Sequence, residues 1–348
     1  MREVIIDLKA LKENFKYIKT KAEVPVLAIV KADAYGHGLI PCAKAASEAG
    51  ADYLGTALLE EAIAIREAGI KTPLLAWLNP PGLDFAKAVS LNIEIGVSSL
   101  AVFDEVNQIP GAKIHLKVET GMGRNGFSNE WPELLTRDLS KVVGVMMHFA
   151  RADEPEQSQN QLQIANFDKL VAQLHEKGVR PIRHISNTAA TLSNQSAKYD
   201  MVRVGIAMYG LSPLGRDVNL KPIMKVRAKL VLVKELPAGH PIGYGATAIT
   251  KAATKIGIVG MGYADGIPRN AGSSAGVTFN GQSAPLIGRV SMDQIAVDLG
   301  PDSIGQSGDW VTVIGENYDA YEWAKACGTI HYEITTRMAP RIKRSYEN

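Results

Sequence analysis

In the first two-thirds of the chain, apolar residues occur in two patterns, helical spacing and continuous runs. Leu8, Leu11, Phe15 and Ile18 recur at helical spacing, which predicts a helix from about Leu8. Eight continuous apolar runs follow, at residues 26–30, 53–56, 74–78, 93–97, 114–118, 143–148, 182–186 and 202–204. Continuous runs are typical of parallel strands that are buried on both faces. Because most runs are separated by enough residues for one helix and two loops, we predict a (β/α)₈ barrel that ends near Leu220.

The pattern changes after Leu220. Strand-like runs at residues 226–233, 256–259, 277–279, 295–297 and 311–313 are divided by turns. Asn280-Gly281 is a strong hairpin signal because both residues tolerate a positive φ. One helix is predicted over residues 320–326, ahead of Gly328. This part of the chain is therefore predicted to be mainly β.

Length and composition narrow the class of protein. A chain of 348 residues suggests about two domains, and we predict an α/β protein with a barrel at residues 1–222 and a β-rich domain at residues 223–348. The net charge of +2 gives little support for nucleic-acid binding. Without a transmembrane-length apolar run or a signal-peptide pattern, we expect a cytoplasmic protein that does not bind membranes. Cys42 and Cys327 lie far apart in sequence and indicate neither a disulfide framework nor a metal site.

The first candidate catalytic residue is Lys31, which comes directly after the first predicted strand. Active sites of such barrels lie at the carboxyl ends of the strands. Burial there lowers the pKa of an amine toward a value that Schiff-base chemistry can use. The alternative is a lysine whose ammonium group simply reaches solvent. His148 is predicted to end the sixth strand, although a histidine on an apolar strand can also be an ordinary core residue.

A phosphate site is predicted after the seventh and eighth strands, where these barrels commonly bind phosphate. Thr188 offers a hydroxyl there and Gly205 an exposed N–H. A lysine opposite a phosphate site suggests pyridoxal phosphate. Arg203, in the buried eighth strand, needs a partner for its charge, and a pyridine nitrogen would serve. Because arginine only donates hydrogen bonds, that nitrogen must be unprotonated, which weakens the ring as an electron sink and discourages transamination.

Residues 121–126 match the pattern G-x-G-x-x-G and follow a predicted strand. We reject dinucleotide binding, because the pattern alone is weak and no acidic residue ends a following strand about twenty residues on. A glycine-rich turn that brings Arg124 into the mouth of the barrel fits the sequence better.

Nine motifs in order resemble those of bacterial alanine racemases, from the first helix to the C-terminus. They are VKADAYGHG (30–38), KVETGMGR (117–124), HFA (148–150), HISNT (184–188), VRVGI (202–206), GYG (243–245), GYADG (262–266), GRVSMD (288–293) and YE (332–333). One such motif would be weak, whereas nine in order are highly specific.

The resemblance implies a pyridoxal-phosphate enzyme that interconverts L-alanine and D-alanine, supplying D-alanine for peptidoglycan. Lys31 would hold the cofactor as a Schiff base and act as the base on one face of the substrate. Tyr244, from the partner subunit of a homodimer, would act on the other face. Racemisation needs two such groups, because one removes the Cα proton and the other delivers a proton from the opposite side.

The resemblance also implies roles for the surrounding residues. Arg203 would face the pyridine nitrogen, and His148 would support the ring. Arg124 and the main chain at Met292 would bind the substrate carboxylate. The cofactor would be held by Lys31, Tyr35, His148, Asn187, Thr188, Arg203, Gly205, Ile206 and Tyr332, and Tyr263, Arg269 and Asp293 would line the access to the site.

Lys117 resembles a lysine that is often carbamylated, which would make it an anion that fixes Arg124. The alternative is an ordinary salt bridge from Lys117 to Glu119 or to another carboxylate. Several positions depart from the family pattern, namely Glu119, Arg151, Thr188, Val204, Ser291 and His331. Arg151 stands where a small residue is usual, which bears on substrate access and on the preference for alanine.

Two other functions use related features. A decarboxylase built from the same barrel and β domain would share the lysine motif, but such enzymes generally pair the pyridine nitrogen with a carboxylate. Arg203 argues against that reading. A non-enzymatic pyridoxal-phosphate carrier of the single-barrel type would lack the region from about Met224 onward, and Tyr244 with it.

Overall fold

The structure is a computed structural model that describes residues 1–215 and 219–348. The strands are β1 (Arg2–Asp7), β2 (Val26–Ile29), β3 (Tyr53–Thr56), β4 (Leu74–Ala76), β5 (Ile93–Val97), β6 (Ile114–Lys117), β7 (Val142–Met146), β8 (Ile182–His184), β9 (Val202–Val204), β10 (Met224–Leu236), β11 (Pro241–Ile242), β12 (Ala248–Ile249), β13 (Thr254–Val259), β14 (Gly276–Phe279), β15 (Gln282–Pro285), β16 (Ile295–Gly300), β17 (Trp310–Ile314) and β18 (Lys343–Glu347). The helices are α1 (Leu8–Ala22), α2 (Lys31–Gly36), α3 (Leu39–Glu48), α4 (Leu59–Glu67), α5 (Phe85–Ser90), α6 (Leu100–Asn107), α7 (Trp131–Leu134), α8 (Ser158–Glu176), α9 (Thr188–Ser193), α10 (Ala320–Cys327) and α11 (His331–Thr336). Short 3₁₀ helices lie at Gln195–Ala197, Ile206–Tyr209, Tyr244–Ala246 and Tyr263–Asp265.

The chain divides into two compact units. The barrel unit consists of Ala10–Ala34 and Leu39–Lys221, and the β unit consists of Met1–Lys9, Tyr35–Gly38 and Pro222–Asn348. The domain boundary at residue 222 that we expect from the sequence stays a prediction.

The barrel unit contains the eight predicted parallel strands, so this part of the predicted fold is confirmed. Strands β2 to β8 pair in sequence order, and β9 pairs with β2. The remaining edge is joined by a hydrogen bond from the Arg203 N–H to the Ser186 carbonyl, at 2.8 Å. Strands β2, β4, β5, β6 and β9 are buried at every residue, as their continuous apolar runs indicate.

Helix starts in the barrel unit follow ordinary capping rules. The side chain of Asp84 accepts from the N–H of Lys87 at the start of α5, and Ser99 accepts from Val102 at the start of α6. Helix α1 begins at Leu8, as the apolar spacing predicts. Each of these caps stabilises the start of its helix, and the loops that follow the strands lie at one rim of the barrel.

The β unit is mainly antiparallel, which confirms the second part of the predicted fold. One sheet has the order β15-β14-β17-β10-β1-β18, and β13 pairs with both β10 and β16. The predicted hairpin at Asn280-Gly281 joins β14 to β15, and both residues have a positive φ. Helix α10 is present as predicted and ends at Gly328 with φ of 65°. Strands β1 and β18 and helix α11 are absent from the sequence-based prediction.

Among the described residues, no helix is long and apolar enough to cross a membrane.

Candidate active site

Basic side chains meet at the carboxyl ends of the barrel strands. Lys117 ends β6 and Arg203 lies in β9, and both are buried. Lys31 is the first residue of α2 and lies two positions past the end of β2 at Ile29. His148 lies two residues beyond the end of β7 at Met146. Because β7 is the sixth strand of the barrel, the prediction that His148 ends that strand is wrong by two positions. Lys31 and His148 therefore both lie just past the ends of their strands.

The segment after Lys31 has an unusual backbone. Ala32, Asp33, Ala34 and Tyr35 have φ between 53° and 56°, which is a left-handed helical turn. Non-glycine residues pay roughly 1–2 kcal/mol each for this conformation. Such strain persists only where the surroundings over-determine it, and it is common at functional sites. The left-handed conformation of the turn after Lys31 is therefore held in place by its surroundings.

Glu61 holds the start of this turn, and the sequence analysis misses it. Its Oε1 accepts from the N–H groups of Ala32 at 2.6 Å and Asp33 at 3.4 Å. Its Oε2 accepts from the N–H of Leu58 at the start of α4, at 3.2 Å. One carboxylate thus ties the turn beside Lys31 to the helix that follows β3.

The Lys31 amine lies in a desolvated, cationic environment. Its Nζ is 6.0 Å from the centre of the Trp77 ring. Burial lowers the pKa of Lys31, the charges of Arg124 and Arg203 lower it further, and Glu61 opposes them. A lower pKa leaves more of the amine unprotonated and nucleophilic near neutral pH.

Lys117 is also shifted toward the neutral amine. Burial lowers its pKa to about 8, with further contributions from Arg124 and Arg203. Its Nζ donates to the Oδ1 of Asn125. Within residues 1–215 and 219–348, Lys117 forms no ion pair with Glu119 or another carboxylate, so the salt-bridge alternative is not present in the structure.

Glu119 is engaged by the glycine-rich turn instead. Its carboxylate accepts backbone N–H groups from Gly121 at 2.5 Å, Met122 at 2.6 Å and Arg124 at 3.3 Å. Burial alone would raise the pKa of Glu119, but these hydrogen bonds hold it below its usual value. The turn therefore organises the backbone at Arg124, whose side chain is exposed.

Arg203 is held by main-chain acceptors. One of its terminal nitrogens donates to the His184 carbonyl, and the other donates to the carbonyls of Met147 at 2.6 Å and Ile185 at 3.3 Å. The Nδ1 of His148 lies 3.4 Å from Nη2, and it must accept because a guanidinium only donates. Burial lowers the pKa of Arg203 to about 10, so it stays a cation at neutral pH. Burial, together with Arg203 and the other nearby cations, holds the pKa of His148 well below its usual value, so His148 is neutral.

The predicted phosphate residues of the barrel unit come together at the starts of two short helices. The Asn187 side chain caps α9 by accepting from the N–H of Ala190 at 3.0 Å. The Thr188 hydroxyl accepts from the N–H of Gly205 at 3.1 Å, so this N–H is not exposed as predicted. Ile206 begins the 3₁₀ helix after Gly205. The Thr188 hydroxyl and the starts of these two short helices therefore lie together beyond β8 and β9.

Within the β unit, Tyr35 lies beside Tyr332, with ring centres 6.1 Å apart. A Cβ at Gly36 would lie 2.2 Å from the Thr335 carbonyl oxygen, so only glycine permits this close approach to α11. Burial raises the pKa of Tyr35, which keeps its phenol protonated as a hydrogen-bond donor. His331 stacks on Tyr332 with ring centres 4.9 Å apart, and burial lowers its pKa to about 4.

The predicted access residues of the β unit are partly grouped. The N–H of Tyr263 donates to the Ser291 carbonyl at 3.0 Å, and the N–H of Ala264 donates to the Met292 carbonyl at 2.9 Å. These bonds place Tyr263 against the segment that carries Met292 and Asp293. Arg269 is exposed, and in the described part of the chain it forms no hydrogen bond or ion pair.

Tyr244 is 69% exposed in the single chain. It begins the 3₁₀ helix Tyr244–Ala246, and Gly243 and Gly245 on either side have φ of 69° and 72°. Glycine tolerates these conformations without strain. The turn thus leaves this large aromatic side chain uncovered in the single chain.

Arg151, the least expected departure from the family pattern, is engaged on the surface. Its Nε and Nη2 lie 2.9 and 2.7 Å from the two carboxylate oxygens of Glu154. This two-point ion pair holds the guanidinium at its own loop.

Comparisons with known proteins give a consistent result. Residues 6–213 match the family model described as alanine racemase, N-terminal domain, and residues 223–346 match alanine racemase, C-terminal domain. An alanine racemase of Salinispora tropica is 41% identical over 99% of this chain and 98% of that protein. The crystal structure of alanine racemase from a D-cycloserine-producing Streptomyces lavendulae is 40% identical and has a TM-score of 0.96 over 100% of this chain and 97% of that one. Alanine racemase from Bartonella henselae, solved with covalently bound pyridoxal phosphate, is 28% identical with a TM-score of 0.91 over 99% of both chains.

Proposed function

The chain belongs to the alanine racemase family, and from this premise we propose that it interconverts L-alanine and D-alanine with pyridoxal phosphate. The family and the enzyme class predicted from the sequence are thereby confirmed. We further propose that Lys31 and Tyr244 are the two bases and that the product D-alanine supplies peptidoglycan synthesis in the cytoplasm.

The residues of the barrel unit fit pyridoxal phosphate. A desolvated amine is available at Lys31 for its aldehyde carbon, and Thr188 and the short helix starts beside it offer polar groups for its phosphate. Arg203 offers for its pyridine nitrogen the Nε–H, which forms no hydrogen bond among the described residues, whereas both terminal nitrogens are engaged. Bound pyridoxal phosphate weakens the Cα–H bond of an amino acid by delocalising the electron pair left behind.

Arg203 is the observation that carries the proposal. Its guanidinium is held by carbonyls and imidazoles, and among the described residues no carboxylate pairs with it. A donor-only partner favours an unprotonated pyridine and so a weak electron sink. This supports brief proton removal at Cα over decarboxylation, for which a carboxylate partner would be expected.

Each base then moves one proton. We propose that Lys31 Nζ takes or returns a proton on one face of Cα and that Tyr244 Oη does so on the other. His148, neutral beside Arg203, would support the ring and Tyr244. The large exposed fraction of Tyr244 supports a role across a homodimer interface, where the partner subunit would cover it.

We assign the remaining residues by the family pattern. Arg124 and the main chain at Met292 would bind the substrate carboxylate. By the same pattern, Asn187, Thr188, Gly205 and Ile206 would hold the cofactor, as would Tyr35 and Tyr332. Lys117 would be carbamylated, and Tyr263, Arg269 and Asp293 would line the access.

The decisive experiment is incubation of the protein loaded with pyridoxal phosphate with L-alanine in D₂O. We expect D-alanine that carries deuterium at Cα, because proton removal and return pass through exchangeable groups. Formation of an amine product would support the decarboxylase alternative. Bound cofactor with neither product would contradict the assignment to alanine.

The shared site has its own test. Lys31→Ala and Tyr244→Phe proteins would each be inactive or nearly so, and subunit exchange between them should restore one working site in each mixed dimer. Mixed subunits verified by mass spectrometry but without recovered activity would contradict a site completed by the partner.

A further inference from the structure

A buried polar chain crosses the barrel interior behind Arg203. Glu94 lies in β5, His115 in β6, His184 in β8 and Arg203 in β9. The Oε2 of Glu94 is 2.7 Å from His115 Nε2, and His115 Nδ1 is 2.9 Å from His184 Nε2. The Nδ1 of His184 is 3.4 Å from Arg203 Nη1. Both histidines are fully buried.

Space for this chain is built into the backbone. A Cβ at position 144 of β7 would lie 2.0 Å from His115 Nδ1, so a side chain there would displace the imidazole. Gly144 therefore admits the ring between the strands. Three polar side chains in a barrel interior are costly unless each is satisfied.

Hydrogen-bond accounting fixes the proton on every imidazole. Because Arg203 only donates, Nδ1 of His184 accepts, and the proton of a neutral His184 lies on Nε2. That N–H donates to His115 Nδ1, which leaves the proton of His115 on Nε2, directed at Glu94. Burial, together with the charge of Arg203, holds the pKa of His184 well below its usual value, in agreement with a neutral ring.

Glu94 is an anion at the end of this chain. Burial alone would raise its pKa, but the hydrogen bond from His115 and the nearby Lys113 ammonium hold it below its usual value. Every N–H in the chain points from Arg203 toward Glu94, so the bond dipoles align. Aligned hydrogen bonds polarise one another, most strongly where the dielectric constant is low.

We infer that Glu94, His115 and His184 are positioning residues that supply the buried Arg203 cation with a counter-charge across two neutral imidazoles. The terminal nitrogens of Arg203 are engaged by carbonyls and imidazoles, and among the described residues its Nε–H forms no hydrogen bond. This arrangement leaves the Nε–H for a ligand, whereas a directly paired carboxylate would occupy it or neutralise the charge. The inference rests on the proposed function only for the identity of that ligand, the pyridine nitrogen of pyridoxal phosphate.

The first test needs no variant. The full-length protein, labelled with ¹⁵N-histidine and free of cofactor, is examined by NMR at pH 7, where nitrogen shifts and couplings distinguish the two tautomers. The seven histidines are assigned with single His→Gln proteins. We expect His115 and His184 both to be neutral and protonated at Nε2. A proton on Nδ1 of either ring, or a doubly protonated ring, would overturn the inference.

The second test separates charge from hydrogen bonding. Glu94→Gln keeps an acceptor for His115 but removes the charge. The control is Glu67→Gln, which removes the same charge from the last residue of α4, where the Glu67 side chain is 63% exposed. We expect Glu94→Gln to weaken binding of pyridoxal phosphate to the apoprotein by roughly tenfold. It should slow racemisation equally in both directions, while Glu67→Gln stays within twofold of the parent. Unchanged cofactor affinity in Glu94→Gln would refute the counter-charge.

The outcomes also separate this inference from the proposed function. If the protein binds pyridoxal phosphate but racemises no alanine, the proposed function fails. The predicted tautomers and the weaker cofactor binding of Glu94→Gln would still support the chain. If alanine is racemised but the tautomers differ from those predicted, the inference alone fails.

Discussion

Two buried charges, one in each unit, are stabilised in opposite ways. Asp265 in the β unit is fully buried and forms direct ion pairs with Arg2 at 2.9 Å and Arg341 at 2.7 Å. Its other oxygen accepts the N–H of Gly262 at 2.9 Å. Arg203 in the barrel unit is buried almost as deeply, but carbonyls and imidazoles are its partners.

The difference distinguishes a buried charge whose partners stabilise the fold, as at Asp265, from a usable charge, which remains available to a ligand, as at Arg203. Both oxygens of Asp265 are occupied by cationic or N–H donors, so the carboxylate fixes the turn at Gly262 and the segment carrying Arg341. Arg203 is a cation whose charge is compensated at a distance, beside two lysines with lowered pKa values. Functional sites commonly concentrate such perturbed groups, whereas direct ion pairs are common in scaffolds.

The largest effect is expected from a substitution at Lys31, which we propose as the residue that binds the cofactor covalently. Lys31→Ala should lower racemase activity by more than ~10⁴-fold, because it removes both the covalent anchor and one base. Borohydride treatment should no longer fix the cofactor to the chain, as measured by mass spectrometry. Lys177→Ala, at an exposed helix end, is the control and should retain both properties. A cofactor fixed at another lysine would contradict the assignment.

The second-largest effect is expected at Arg203, the buried cation that we propose to be available to a ligand. Arg203→Lys should lower activity by roughly 10–100-fold, since an ammonium keeps the charge but not the planar set of donors. Its free energy of unfolding in urea should change by less than about 1.5 kcal/mol, because lysine can still donate to the surrounding carbonyls. A large loss of stability with normal activity would reverse the distinction between the two buried charges.

Asp265→Asn should show the opposite pattern. We expect the free energy of unfolding to fall by about 2–4 kcal/mol, because two arginines lose their buried anion. Asp293→Asn is the matched control, since Asp293 also pairs with Arg341 but is 58% exposed, and exposed pairs contribute little. Equal stability of the two variants in urea would mean that burial does not distinguish these carboxylates.

The smallest effect concerns pH and Lys117. Its pKa of about 8 lies below the usual lysine value, so the folded state binds fewer protons than the unfolded state above pH 8. Stability should therefore rise with pH between about 8 and 10 when CO₂ is excluded. Lys117→Met should show a smaller rise, and the remainder should come from Lys31, whose pKa is also lowered. With ¹³C-bicarbonate, the carbamate NMR signal should grow by several-fold from pH 6.5 to 8.5, because only the neutral amine reacts. An equal rise in stability in the parent protein and in Lys117→Met would contradict a lowered pKa of Lys117.

Periodicity explains why the barrel could be predicted and parts of the β unit could not. The eight apolar runs each form a strand, since a strand buried on both faces is mostly apolar. Strands β1 and β18 have partly exposed residues and weak patterns. They exist because β1 pairs with both β10 and β18, which are over two hundred residues away in sequence.

Site prediction shows the same division. Lys31, Thr188 and Arg203 could be found because each stands at or near a strand end, where barrel chemistry occurs. Glu61 gave no such signal, because a glutamate in the first turn of a helix is an ordinary capping residue. His115 and Glu94 were hidden inside apolar runs, and only the strand order shows that they join His184 and Arg203.

The sequence by itself determined the barrel, the mainly β second unit, the candidate lysine and arginine, and the resemblance to alanine racemases. These depend on local periodicity and on motif order, which one chain carries in full. The tertiary structure decided the left-handed turn after Lys31, the N–H bond from Gly205 to Thr188, and the direction of every proton between Arg203 and Glu94. Those features depend on distances between strands far apart in sequence, and hydrogen bonding is too short-ranged to be specified before the strands meet.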